Sequence, residues 1–225
     1  MKRVLVLRPE PGASATVERA RARGLEAIAL PLFEIEPLAW DAPEASSFDG
    51  VLLTSANAVR CGGDPLKDLR GLPAYAVGMA TAEAARKAGF DIASTGEAGV
   101  DRLLGSIDPE LKLLHLAGED RRAPDGATQE ITFIPVYRSK SRANIDVRSV
   151  AGGVAMIHSP RAGQYLGDIV DSSGIDRRAV IIAAISQEAA SAAGAGWAAV
   201  EAAETPNDDA LLVLAERLCN KVQAT

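Results

Sequence analysis

The chain has 225 residues, 48% of them hydrophobic and 24% charged, and this length allows either one large domain or two small ones. Its formal net charge of −6 comes without any block of Lys and Arg, which argues against a nucleic-acid partner. No apolar run approaches the roughly 20 residues of a membrane-spanning helix, so no membrane partner is expected.

Segments typical of strands alternate with segments typical of helices along the whole chain, which indicates an α/β fold with parallel sheets. The predicted strands are 3–8, 26–30, 50–54, 74–77, 91–94, 112–117, 131–134, 154–158, 179–185 and 198–203. Helices are predicted over 14–23 and from Thr81 to Gly89. Segment 118–129 contains Pro124 and Gly126, which disfavour a helix, so only a short turn is expected there.

The sequence contains an internal repeat. GVLLTSANAV (50–59), AVGMATAEAA (76–85) and STGEAGVDRLL (94–104) correspond, in the same order, to GVAMIHSPRAG (153–163), AAISQEAASA (183–192) and AETPNDDALL (203–212). Two further segments, VLVLRPE (4–10) and IALPLFE (28–34), correspond to LLHLAGE (113–119) and TFIPVYR (132–138). This pair precedes the three units in one copy and follows them in the other, so the repeat predicts two similar five-stranded domains.

The repeat also predicts how the domains are connected. Residues 1–32 and 140–225 form one discontinuous α/β domain, and residues 40–133 form an inserted one. Segments 33–39 and 134–139 are a two-segment β linker, in which the two segments run side by side and antiparallel. Each domain is expected to be a doubly wound, flavodoxin-like parallel sheet, with a cleft between the two domains. Ligands bind such sheets beyond the carboxyl ends of the strands.

Four predicted strand-to-helix turns carry candidate anion-binding residues, because backbone N–H groups at the start of a helix point outward there. These candidates are Thr54, Ser55, Asn57, Gly78, Thr81, Ser159, Arg161 and Ser186. The alternative for each hydroxyl is simple helix capping, which satisfies the same N–H groups in any protein.

The cysteines and the motifs give no sign of a cofactor. Cys61 and Cys219 lie far apart without CxxC spacing, so neither a zinc site nor a disulfide framework is expected. No metal-ligand cluster and no GxGxxG after a strand is present. Two reduced thiols fit a cytoplasmic protein, and the first apolar segment is too short for a secretory signal and is interpreted as a strand.

Taken together, these motifs resemble the uroporphyrinogen-III synthase family. The resemblance covers nearly the whole chain and rests on VLVLRP, LLTSANAV, AVGMATAEAARKAGF, HLAGEDRR, VYRS, HSPRA, AISQEAASAA and TPNDDALL. It implies a substrate, hydroxymethylbilane, which bears eight carboxylates. It also implies a cyclisation with loss of water, in which an azafulvene and a spiro intermediate lead to inversion of the last pyrrole ring. The resemblance implies no metal and no organic cofactor, and the enzyme is expected to act as a monomer.

Tyr137 is the candidate catalytic residue. The resemblance places a functional tyrosine in the VYRS motif, with the role of a general acid for the departing hydroxyl. The repeat aligns Tyr137 with Phe33, so the fold does not need the phenol oxygen. The alternative is an interface tyrosine with a hydrated tip.

Arginines are candidates for pairing with substrate carboxylates. Arg8, Arg138 and Arg161 are predicted to do so, with a solvated arginine at a strand end as the alternative. The segment EDRR (119–122) is interpreted as a self-paired surface turn, with an arginine that reaches the cleft as the alternative. His115 and His158 are interpreted as structural.

A second function remains open. A non-enzymatic hinge protein with two domains that close on a small anion has the same architecture. The tyrosine hydroxyl that the repeat does not require, together with the absence of a secretory signal, favours the enzyme.

Overall fold

A computed structural model describes residues 3–96, 99–121, 123–143 and 145–221, with only the backbone given for Lys221. The chain divides into two compact units: unit 1 holds Met1–Glu34 and Ser141–Thr225, and unit 2 holds Ile35–Lys140. The described residues form eleven strands and seven α-helices.

The strands, in chain order, are β1 (Val4–Val6), β2 (Ala27–Ala29), β3 (Phe33–Pro37), β4 (Gly50–Leu53), β5 (Ala74–Val77), β6 (Ile92–Gly96), β7 (Lys112–Gly118), β8 (Glu130–Ser141), β9 (Val154–Ile157), β10 (Ile181–Ala184) and β11 (Ala199–Ala202). The helices are α1 (Gly12–Ala22), α2 (Ala56–Cys61), α3 (Met79–Lys87), α4 (Val100–Leu104), α5 (Pro160–Ser172), α6 (Gln187–Ala192) and α7 (Asp208–Lys221). The chain is therefore mixed α/β.

Unit 1 is built on a five-stranded sheet with the order β11-β10-β9-β1-β2. All four strand pairs are parallel, and Leu5 lies opposite Ala155 in the central pair. The central strands are buried along their whole length, as expected for a parallel sheet covered by helices on both faces. Alternate residues pack into two clusters: Leu5 belongs to one and Val4 to the other.

Unit 2 is built on a six-stranded sheet with the order β3-β8-β7-β4-β5-β6. The pairs β7–β8, β7–β4, β4–β5 and β5–β6 are parallel. Its strands also contribute side chains to two apolar clusters. One cluster contains Val51 and Leu53, and the other contains Leu52 and Leu113. The alternation along β4 shows that helices cover both faces of this sheet as well.

The sheet of unit 2 is longer than the sequence predicts. The expected strand 131–134 and the expected linker 134–139 form one continuous strand, β8, and the expected linker 33–39 contains β3. β3 is hydrogen-bonded to β8, which gives eleven strands instead of ten. The β character of both linker segments is predicted, and pairing supplies partners for their backbone N–H and C=O groups. The extension of the sheet of unit 2 by these segments is not predicted.

The described residues between β7 and β8 form no helix, as predicted from Pro124 and Gly126. The predicted helices also form, although α1 begins at Gly12 and α3 begins at Met79. Gly78 precedes α3 with a φ of 83°, a left-handed conformation that glycine adopts without a Cβ clash. This glycine therefore makes the sharp strand-to-helix turn possible.

Candidate active site

A cavity of about 310 Å³ opens in unit 2 beyond the carboxyl ends of its parallel strands. Its lining residues are Thr54, Ser55, Val77, Val100, Ala117, Gly118, Asp120, Arg121 and Tyr137. Most of them end or follow β4, β5 and β7, at the carboxyl ends where ligands bind in open α/β sheets. Val100 begins α4, and Tyr137 lies within β8. Hydroxyls, a guanidinium, a carboxylate and a phenol therefore meet in one cavity.

Tyr137 lies in β8, half-buried, with its ring against the backbone of Gly118. A Cβ on Gly118 would lie 2.8 Å from Cζ and 3.0 Å from the hydroxyl oxygen of Tyr137. The backbone also fixes this position, because Glu119 N donates to Tyr137 O at 2.9 Å. Gly118 thus provides the space in which the phenol lies at the cavity.

Thr54 is held by a buried histidine. Nε2 of His115 lies 3.0 Å from Thr54 Oγ1, and only 1% of His115 is exposed. Burial, together with the positive charge of Arg121, lowers the pKa of His115 from 6.5 to about 4. The imidazole is therefore neutral at physiological pH, and one ring nitrogen carries the proton.

Arg121 lines the cavity and stacks on an aromatic ring. Its Cζ lies 3.7 Å from the ring centroid of Phe133, a cation–π contact that holds the guanidinium in one orientation. The ring of Phe133 in turn contacts His115 edge-on, with centroids 6.0 Å apart. Arg121 places a fixed positive charge where a carboxylate can accept its N–H groups.

The corresponding strand ends of unit 1 carry an ion-pair network around Asp208. Nε2 of His158 lies 2.7 Å from Asp208 Oδ1, and Thr16 Oγ1 donates to Oδ2 at 2.8 Å. Arg8 lies 3.5 Å from the same carboxylate, and Arg19 pairs with it directly. Burial, and then the charge of Arg8, lower the pKa of His158 to about 3. This carboxylate compensates two guanidinium groups that the fold brings together.

Thr54, Ser55 and Tyr137 are the predicted site residues that the structure brings together at the cavity of unit 2. Asn57 accepts from Arg60 through Oδ1 at 3.0 Å. Thr81 is 5% exposed in the first turn of α3, after Gly78. These three residues do not line the cavity.

The other predicted residues have partners of their own. Arg138 pairs with Glu36, with Nη2 2.8 Å from Oε2, and Arg8 belongs to the Asp208 network. Arg161 lies over the ring of Phe33 at 4.8 Å in unit 1. The paired arginines contribute to the fold through these contacts.

The three serines of the predicted turns cap helices. Ser55 accepts from Asn57 N, Ser159 from Ala162 N and Ser186 from Ala189 N, each at 3.2 Å. Each of these hydroxyls therefore caps a helix in the structure.

The sequence leaves one residue open and does not mark two others. For segment 119–122 it predicts a self-paired turn, with an arginine that reaches the cleft as the alternative, and Arg121 lines the cavity of unit 2. His115 is predicted to be structural, and it contacts Thr54. Asp208 lies in TPNDDALL but is not predicted as a site residue. The available signals were the apolar surroundings of His115 in LLHLAGE and the paired acidic residues that begin α7.

Within the described residues, no group of three or more His, Cys, Asp or Glu is arranged to hold a metal ion. None of the described helices is both long and apolar enough to cross a bilayer.

Comparisons with known proteins identify the relatives of this chain. Residues 14–213 match the family model described as HEM4, uroporphyrinogen-III synthase HemD. A uroporphyrinogen-III synthase from Chlorobaculum parvum is 34% identical over 119 residues. That match covers 48% of this chain and 48% of the relative, so it spans about half the length of the curated relative.

Solved structures show the same fold. Uroporphyrinogen-III synthetase from Helicobacter pylori superposes with a TM-score of 0.65 at 17% identity, covering 97% of this chain and 100% of the other. A mutant uroporphyrinogen III synthase from the extremely thermophilic bacterium Thermus thermophilus gives a TM-score of 0.53 at 16% identity, covering 98% of this chain and 100% of the other. Because the family model spans most of the sequence, the chain belongs to the uroporphyrinogen-III synthase family.

Proposed function

We propose that this chain is a uroporphyrinogen-III synthase. It cyclises hydroxymethylbilane with loss of water and inversion of the last pyrrole ring, through azafulvene and spiro intermediates. The observation that carries this proposal is the cavity of unit 2, where the Tyr137 phenol lies among hydroxyls and a guanidinium. Such donors suit a substrate with many carboxylates, and the phenol suits a step in which a hydroxyl departs.

Tyr137 acts as the general acid in this proposal. A hydroxyl leaves as water only when it gains a proton, and a phenol within hydrogen-bond reach supplies one or stabilises the developing charge. The proton returns to the phenolate later in the same cycle, because ring closure releases a proton from the attacked pyrrole. Preorganisation of the flexible chain supplies a further part of the rate.

The other residues bind substrate carboxylates. Thr54, Ser55 and Arg121 do so at the cavity of unit 2. The remaining candidates are Arg8, Asn57, Gly78, Thr81, Arg138, Ser159, Arg161 and Ser186. No metal or organic cofactor takes part in the proposed reaction.

The proposed architecture has two flavodoxin-like domains, 1–32 with 140–225 and the inserted 40–133. The strand orders support this. Numbered along unit 1, the order β2-β1-β9-β10-β11 is 2-1-3-4-5, the flavodoxin-like order. In the repeat, β7 and β8 of unit 2 correspond to β1 and β2 of unit 1. When β7 and β8 are numbered first and β4, β5 and β6 after them, the order β8-β7-β4-β5-β6 is also 2-1-3-4-5. The cleft between the domains stays a prediction, as do a monomeric state and a cytoplasmic location.

A coupled assay tests the proposal. Purified protein is supplied with hydroxymethylbilane, and the products are oxidised and separated by chromatography into the I and III isomers. Formation of the III isomer is expected. Formation of the I isomer alone, which is the spontaneous product, would remove the enzymatic proposal and leave the anion-binding hinge protein.

The phenol is tested by Tyr137→Phe, which should slow III formation roughly tenfold or more while leaving the unfolding midpoint nearly unchanged. Tyr75→Phe is the matched control, because Tyr75 is a half-buried tyrosine in β5 of the same unit and does not line the cavity. Equal rates for the two variants would show that the phenol of Tyr137 is structural.

A further inference from the structure

His115 is a buried polar side chain that the proposed reaction does not use directly. It lies in β7, which pairs with β4, and His115 stands opposite Leu52 in that register. Its one hydrogen-bond partner among the described residues is Thr54, at the cavity, through Nε2. Nδ1 is buried and has no partner in the described part of the chain. A buried imidazole with one free nitrogen calls for a physical explanation.

The free nitrogen indicates which tautomer is present. If Nδ1 carried the hydrogen, a donor would be buried without an acceptor, and orphaned N–H groups are rarer in proteins than acceptors with an unused lone pair. The hydrogen is therefore placed on Nε2, where Thr54 Oγ1 accepts it.

This tautomer fixes the hydrogen of the threonine hydroxyl. When Nε2–H donates to Thr54 Oγ1, the oxygen uses one lone pair as an acceptor and the O–H must point elsewhere. Thr54 is half-buried and lines the cavity, so the O–H is available to a ligand there. With the opposite tautomer, the O–H would point at the ring and Thr54 would offer only lone pairs, which repel a carboxylate.

We infer that His115 is a positioning residue, whose Nε2–H holds the Thr54 hydroxyl so that it donates its hydrogen to an anionic oxygen in the cavity. This inference rests on the proposed function for the identity of the anion, a substrate carboxylate. The tautomer itself is independent of that identity. His115 does not touch the ligand and acts only through Thr54.

Nitrogen NMR tests the tautomer directly in the unmodified protein. The chain has two histidines, so a long-range ¹H–¹⁵N spectrum at neutral pH contains two imidazole patterns, and a His115→Gln sample assigns them. A pattern with the proton on Nε2 of His115 is expected. A proton on Nδ1 would overturn the inference, whether or not the chain has synthase activity.

Enzyme kinetics test the path through Thr54. His115→Leu and Thr54→Val should each raise KM for hydroxymethylbilane about fivefold to tenfold, with a smaller change in kcat. The double variant should be no worse than Thr54→Val alone, because the histidine then has no hydroxyl to orient. Effects that multiply in the double variant would show that His115 acts on the site independently of Thr54.

A conservative variant separates positioning from packing. His115→Gln carries a donor at the same distance along the side chain and should recover a KM within about threefold of the unmodified protein, whereas His115→Leu should not. An equal KM for both variants would contradict the inference. If the unmodified protein makes no III isomer, the proposed function fails, and the NMR result still decides the tautomer.

Discussion

The two units place different chemistry at equivalent strand ends. After β9 of unit 1 comes His158, whose imidazole contacts Asp208, and Arg8 and Arg19 pair with the same carboxylate. After β4 of unit 2 comes Thr54, whose partner His115 has no carboxylate in contact among the described residues, and beside it lies an open cavity. The two copies of the fold therefore differ at equivalent strand ends: ion pairs hold the one in unit 1, and the one in unit 2 borders a cavity with room for a ligand.

The aligned pair Phe33 and Tyr137 shows the same difference. Phe33 is 4% exposed and packs against Tyr165, with ring centroids 5.4 Å apart. Tyr137 is half-buried and lines the cavity. The ring contributes to packing in either unit, but a hydroxyl is useful only where a cavity lets a ligand reach it.

The largest expected effect is on the network of unit 1. Asp208→Ala leaves the buried Nε2 of His158 and the hydroxyl of Thr16 without their acceptor. It also removes the carboxylate that pairs with Arg8, whereas Arg19 keeps its contact with Asp209. The free energy of unfolding should fall by about 3 kcal/mol, as measured by urea denaturation.

Asp209→Ala is the matched control for that variant. Asp209 follows Asp208 in α7 and pairs with Arg19, but its side chain is 71% exposed, so its loss should cost less than ~0.5 kcal/mol. If the free energy of unfolding of Asp208→Ala falls as little as that of Asp209→Ala, the Asp208 network does not stabilise the fold.

The buried histidine of unit 2 should make the protein sensitive to acid. The pKa of His115 is about 4 in the folded chain and 6.5 ordinarily, so the unfolded chain binds a proton that the folded chain does not. The resulting stability is complete above pH 6.5 and is lost as the pH falls towards 4. The loss from this group between pH 7 and pH 5 is about 2 kcal/mol.

His115→Leu should remove that part of the pH dependence. Urea denaturation of both proteins at pH 7, 6 and 5 measures it: the free energy of unfolding of the variant should fall less steeply than that of the unmodified protein. Parallel curves would mean that His115 is not the group that resists protonation.

The smallest effect concerns the space at the cavity. Gly118→Ala places a methyl group within 3.0 Å of the Tyr137 ring, so the ring must shift and III formation should fall about tenfold. The unfolding midpoint should change little, because the half-buried ring has room to move. Gly71→Ala is the control, since a Cβ there meets no atom within 4 Å. If Gly118→Ala forms the III isomer as fast as the unmodified protein, the position of the Tyr137 phenol does not matter for catalysis.

Much of the fold is predictable because its signals are local. Apolar runs such as 74–77 and 154–157, the glycine at 78 and the serines before α5 and α6 specify where strands end and helices begin. The two-segment β linker is predicted from the repeat, and its segments contain β3 and the extension of β8, which are hydrogen-bonded to each other. Their continuity with the sheet of unit 2 is not predicted, since it depends on contacts between segments about 100 residues apart.

The candidate site divides in the same way. Tyr137, Thr54 and Ser55 are predicted site residues that lie at one cavity. The family resemblance, together with the repeat, marks Tyr137, and the strand-to-helix turns mark the other two. Arg121 is predicted only as an alternative and His115 as structural, since a turn and a strand interior give no functional pattern. Only the register of β7 beside β4 brings His115 to Thr54.

The sequence by itself determined the alternation of strands and helices, the duplication of the five-stranded unit and the positions of the strand-to-helix turns, because the signals for each are local segments of the chain. The tertiary structure alone decided that the strand ends of unit 1 are held by Asp208 and that those of unit 2 border a cavity. The charge and the hydroxyl partners at these ends come from residues 50 to 200 positions away, and only folding brings such residues into contact.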